Sequence, residues 1–173
     1  KTDQHIFLSS GTTSSLKSKH YITDLEIYKK SIRKSFELFF GSPKEYVFLC
    51  LVPNFIKNQH SSLAFMCNEL INLSNQANSG FYLNKTTKLV SVIQKCEKEN
   101  IKFILFGLSF ELLKLANNHK LSLLNGLVIE TGGTKNKQER IIKEGQSKDT
   151  VMIQGPPWFK VQIAKNNIFY IGD

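Results

Sequence analysis

Tyr46-Val47-Phe48-Leu49-Cys50-Leu51-Val52, closed by Pro53, is an unbroken apolar run rich in β-forming residues. A strand with no polar face has to be covered on both sides, which is the situation inside a parallel sheet. Lys102 to Phe106 repeats the pattern, Leu127 to Glu130 gives a third such strand, and Phe81 to Leu83 reads as a shorter one. Helical periodicity fills the intervals. Thr23 and Glu26 have capping-box spacing, and Leu25, Tyr28, Ile32, Phe36 and Phe39 then recur on one face, so a helix is predicted over 24–40, stopped by Gly41 and Pro43. Ser61 or Ser62 is expected to cap a helix to about Asn72, Asn84 one to about Glu99, and a further helix covers 109–118. Strands alternating with helices define an α/β fold, a mostly parallel sheet flanked by helices with right-handed crossovers. In such folds the ligand crevice lies beyond the carboxyl ends of the strands, and both Gly107 and Gly132-Gly133 are expected just past strand ends.

With 173 residues and 41% hydrophobic content, the chain is expected to form one core over 1–173, the polar segment 134–150 being a mobile loop or junction. The closing Trp158 to Tyr170 segment is strand-like. The chain begins without Met and ends at Asp173, so a fragment of a longer protein, or the ordered pieces of one with mobile loops left out, is expected. Cys50, Cys67 and Cys96 lie in apolar or helical patterns with no metal-ligand spacing; they read as reduced packing residues and point to a cytoplasmic location. No metal site is expected from the protein's own ligands, and no apolar run reaches membrane-spanning length. The net charge of +9 favours anionic partners. Nucleic acid is not expected among them, because the lysines are dispersed and the aromatics sit inside apolar runs.

Near the start stands Phe7-Leu8-Ser9-Ser10-Gly11-Thr12-Thr13-Ser14-Ser15-Leu16-Lys17-Ser18-Lys19, an apolar run that ends in hydroxyls, one glycine and two lysines. A glycine at positive φ lets neighbouring N–H groups converge on an anion, while hydroxyls and ammonium groups supply further donors. From composition alone an ordinary polar surface loop is the simpler reading, and the spacing is not that of the P-loop.

Ser9 to Ser14 resembles the Ser/Thr-Ser-Gly-Thr-Thr-Gly loop of adenylate-forming enzymes, and Lys17-Ser18-Lys19-His20-Tyr21 resembles its extension in the acyl-protein synthetase branch. That branch includes the synthetase of the bacterial bioluminescence fatty-acid reductase. Gly41 to Tyr46, Ser79 to Leu83, Phe106 to Phe110, Glu130 to Lys135 and Pro156 to Val161 are similar to later family segments in the same order. Two positions depart from the pattern. Ser14 replaces the loop's second glycine, and the aromatic-Gly-x-Thr-Glu motif, which in the family helps hold phosphate and magnesium, is missing between Lys135 and Pro156.

The resemblance implies the N-terminal core of an adenylate-forming enzyme that uses ATP and Mg²⁺ to activate a carboxylic acid, expected to be a fatty acid. The acyl group would pass to a thiol acceptor, a protein cysteine or coenzyme A, with partner acyl-transfer proteins. It places Ser9, Ser10, Gly11, Thr12, Thr13, Lys17 and Lys19 on the ATP phosphates, Gly132, Gly133 and Asp173 on the adenosine, and Gly107, Ser109 and Trp158 near the acid. Glu130 either bonds a nucleotide edge or ends its strand, Gly132-Gly133 is otherwise a plain turn, and no cysteine matches the family's acyl-accepting residue. His20 is expected to be structural. His60 with Ser61 and Ser62 invites a hydrolase reading, but no nucleophile elbow or carboxylate partner accompanies them. The alternative to an enzyme is a non-catalytic acyl- or nucleotide-binding module on the same fold.

Overall fold

Four apolar or near-apolar strands and a fifth near the carboxyl terminus form the central sheet, in the order β10-β6-β5-β3-β4. The computed structural model describes residues 5–8, 18–121 (Ser109 by backbone alone) and 123–131, together with the backbone of four later strands. The elements are β1 (His5–Leu8), β2 (Lys19–Ile22), α1 (Leu25–Phe40), β3 (Val47–Leu51), α2 (Ser62–Ser74), β4 (Gly80–Phe81) and α3 (Thr86–Lys98). They continue as β5 (Phe103–Leu108), α4 (Ser109–Asn118), β6 (Gly126–Thr131), β7 (Ile141–Glu144), β8 (Thr150–Gln154), β9 (Lys160–Ala164) and β10 (Ile168–Ile171). Every pairing in the central sheet is parallel. β1 and β2 form an antiparallel hairpin, and β7, β8 and β9 a separate antiparallel sheet.

Alternation along the strands divides the core between two faces. Val47, Leu49 and Leu51 of β3, with Phe103, Leu105 and Val128, pack on Leu89, Val92, Ile93 and Cys96 of α3 and Leu115 of α4. Phe48, Cys50 and Val52, with Ile104, Phe106 and Ile129, pack on Phe36 of α1 and Cys67 and Leu70 of α2. The result is a sheet with α1 and α2 on one side and α3 and α4 on the other. From β3 the chain steps through α2 to β4, then returns through α3 to β5 on β3's opposite flank. The direction and the covered face reverse together, so successive crossovers keep one hand. The topological switch point is therefore between β3 and β5.

Local chemistry moves several expected boundaries. The α1 cap is Asp24, not Thr23: its Oδ1 accepts from the N–H groups of Glu26 at 2.9 Å and Ile27 at 3.2 Å. A carboxylate there also faces the positive end of the helix dipole. At the other end of α1, Phe40 packs on the core while Phe39 is 73% exposed, because the sheet-facing stripe is completed by Ile32, Phe36 and Phe40. Ser61 caps α2 as expected, its Oγ accepting from Ala64 N–H, and the helix runs on to an αL cap at Asn75. Asn84 does not cap α3; it sits in a turn at φ 63°, and Lys85 occupies the cap with no side-chain bond. β7 lies inside the 134–150 segment read as a loop or junction, where Ile141 and Ile142 supply β-forming residues within a polar run. Among the described residues no helix is long and apolar enough to cross a membrane.

Candidate functional site at the carboxyl ends of the strands

The β1–β2 hairpin brings Leu8 and Lys19 together as register partners, so the segment read as phosphate-binding is spanned by a paired stem. Two strands alone are only marginally stable in water, and this stem is fastened from outside. Leu8 N–H donates to the carbonyl of His60 at 2.8 Å. In return the His60 ring donates from Nδ1 to the carbonyl of Ile6 at 2.9 Å, and His5 donates from Nε2 to the carbonyl of Gln59 at 3.0 Å. Because each acceptor is a backbone carbonyl, those nitrogens must carry the protons.

Aromatic packing anchors the same stem. Phe7, 2% exposed, has ring centroids of Tyr28 at 5.4 Å and Phe65 at 5.5 Å. Phe65 also meets Phe55 edge-on at 5.3 Å, within the attractive range for ring pairs. Burial pushes the Tyr28 phenol up, keeping it neutral beside these rings. The 52–61 connection leaves the carboxyl end of β3 and enters α2, so the stem is held on that side of the sheet, next to the α2 N-terminus.

Gly107, expected from sequence just past a strand end, lies inside β5. A Cβ on it would stand 3.0 Å from Leu112 and 3.1 Å from Leu51, so the glycine admits α4 against the sheet. Ser109 opens α4, and Glu130, half-buried, is the register partner of Gly107 and Tyr170. Lys19 and His20 are both exposed in β2. Ser9, Ser10, Gly11, Thr12, Thr13, Ser14, Lys17, Gly132, Gly133, Trp158 and Asp173 lie outside the described residues. The structure thus groups Gly107, Ser109 and Glu130 around the end of β5.

Sequence reading missed the structural work of His5 and His60, since their partners are 54 residues away in the chain. The His60 Nδ1 is engaged by the Ile6 carbonyl, and the Ser61 hydroxyl caps α2. All three cysteines are buried and free. A hydrogen bond with Cys67 and then burial hold the Cys50 thiol well above its usual range, and burial followed by Glu99 and Glu97 raises that of Cys96. Neutral, enclosed thiols are poor nucleophiles. Among the described residues no group of three or more His, Cys, Asp or Glu is arranged to hold a metal.

No family model, curated protein or solved structure matches this chain.

Proposed function

We propose that the chain is the nucleotide-binding core of a ligase that activates a carboxylic acid, in our reading a fatty acid, with ATP and Mg²⁺. The observation that carries this reading is the stem clipped by His60 to the β3–α2 connection, with the Ser/Thr/Gly/Lys segment between its strands. A switch point between β3 and β5 on the same side of the sheet supports it, since open parallel sheets bind ligands there.

In the reaction a carboxylate oxygen attacks the α-phosphorus of ATP, the bond to the bridging oxygen breaks, and pyrophosphate leaves with the electron pair. A thiolate then attacks the acyl carbon and AMP departs. Such chemistry needs neutralised phosphate charge and an aligned nucleophile more than a general base. Ser9, Ser10, Thr12, Thr13, Lys17 and Lys19 have the donors for the first task. Mg²⁺ would arrive on the ATP phosphates, as that ion commonly does. The enclosed Cys50, Cys67 and Cys96 favour a thiol acceptor outside this set, coenzyme A or another protein's cysteine.

Thr12→Ala combined with Lys17→Ala should abolish ATP binding, read by titration calorimetry, while the ligand-free thermal melt stays nearly unchanged. Unaltered nucleotide affinity in that variant would remove the loop from the account. Ser14 and the missing Thr-Glu motif favour a second reading, a binding module without turnover, which would bind nucleotide and release no pyrophosphate.

A further inference from the structure

We propose that the outer face of α1 docks the protein on an anionic lipid surface, with Ile27 and Leu38 entering the headgroup layer and Lys30 and Lys34 meeting the lipid anions between them. The proposal goes beyond the ligase reading and does not rest on it.

The inner side of α1 is occupied by Ile32, Phe36 and Phe40, packed on the sheet. Ile27 stands about two and a half turns before Phe36, hence on the opposite side of the helix. Lys30, Ser31, Lys34 and Leu38 follow it at steps of three and four residues, so the five form one outward row. All five are exposed, Ile27 by 67% and Leu38 by 78%, and Phe39 beside Leu38 is open as well. Ile27, Leu38 and Phe39 are three of the seven large hydrophobics that the described residues leave exposed, so α1 concentrates what is ordinary only when scattered.

The charge on the same face selects what covers it. Four cations of α1, Lys29, Lys30, Arg33 and Lys34, stand against two carboxylates, Glu26 and Glu37. Lys29 is bonded to Glu26 at 2.7 Å and also feels Glu69 of α2. Arg33 at 2.8 Å and Lys34 at 3.6 Å share Glu37, and Lys30 makes no ion pair among the described residues. The excess is positive, in a chain of net charge +9. A second copy would set this cationic row against itself, which opposes a homodimer through α1. An acidic protein would match the charge but would need two separate pockets about 16 Å apart to receive Ile27 and Leu38 from a convex ridge. A bilayer surface needs no preformed pocket: it takes aliphatic side chains at any spacing, while lysine stems reach back to the anionic headgroups.

The test is co-sedimentation of the chain with vesicles of phosphatidylcholine alone and of phosphatidylcholine with about one-third phosphatidylserine. Wild type should bind the anionic vesicles and not the neutral ones, and added salt should release it. Lys30→Gln with Lys34→Gln should raise the apparent Kd by about thirtyfold. Ile27→Gln with Leu38→Gln should raise it by about tenfold. All four positions are exposed and glutamine sustains a helix, so the thermal midpoints should hold. Lys88→Gln with Lys95→Gln removes the same charge from exposed positions of α3, across the sheet, and should leave vesicle binding nearly unchanged. Wild type that ignores anionic vesicles at low salt overturns the proposal and leaves the face to an acidic protein. Equal loss in the α1 and α3 lysine variants overturns it as well, because net charge and not this face would then hold the protein. Unchanged affinity in Ile27→Gln with Leu38→Gln does the same, since the outward row would then insert nothing.

Discussion

The central sheet and the N-terminal hairpin are both built from short strands, yet they are held by different physics. β3 is buried along its whole length, its side chains alternately enclosed by α1 and α2 or by α3 and α4. The hairpin has one enclosed ring, Phe7, three bonds to residues 59 and 60, and an outer face on which Tyr21 is 54% exposed. Non-directional burial makes the sheet robust but allows small repacking, whereas a few directional bonds fix a position with little energy in reserve. A scaffold of the first kind carrying a stem of the second is suited to a ligand loop.

That contrast can be broken by substitution. Phe103→Ala removes a fully buried ring from the centre of the sheet and should cost about 3–5 kcal/mol in denaturant unfolding. The same ring covers Gly126, where a Cβ would stand 2.4 Å from it, so a smaller loss would mean that β5 and β6 are less closely paired than described. Gly107→Val, forced against Leu112 and Leu51, should cost roughly 1–3 kcal/mol; a neutral result would mean open space at the end of β5 after all. Phe7→Ala should lower global stability less, by roughly 1–2 kcal/mol, because the stem can open without the sheet. A loss as large as that of Phe103→Ala would show that stem and sheet form one cooperative unit. Asp24→Ala should cost about 1 kcal/mol through the α1 cap, read from the thermal midpoint. The smallest expected change is in thiol labelling. At pH 8 the native protein should leave Cys50, Cys67 and Cys96 unalkylated by iodoacetamide, and fast labelling of any of them would contradict its enclosure.

What could be read from the letters follows the same division. β3 and β5 were legible because an unbroken apolar run has few alternatives to a doubly covered strand, and the helices because their periodicity is sustained over several turns. Caps were less so: Thr23 and Asp24 both have capping side chains, and only the geometry of the two N–H groups chose Asp24. At the end of α1, Phe39 and Phe40 are equal in hydrophobicity, and the face that carries Ile32 and Phe36 onto the core decided between them. Gly107 was read as lying just past a strand end because a glycine's letter does not tell whether the vacant Cβ position ends a strand or receives Leu112. β7 was hidden by its length and charged surroundings. The His60 clip had no local signature, since a bond spanning 54 residues depends on how β3 and α2 are laid out. The phosphate and adenosine residues lie mostly outside the described structure, and for them sequence resemblance is the present support.

Carboxylate activation is best checked by pyrophosphate release from ATP and Mg²⁺ by the complete protein, screened over short, aryl and long-chain acids. Release that depends on the acid and is strongest with long chains is expected. Nucleotide-dependent thermal stabilisation with no release on any acid would contradict it and leave the fold as a binding module.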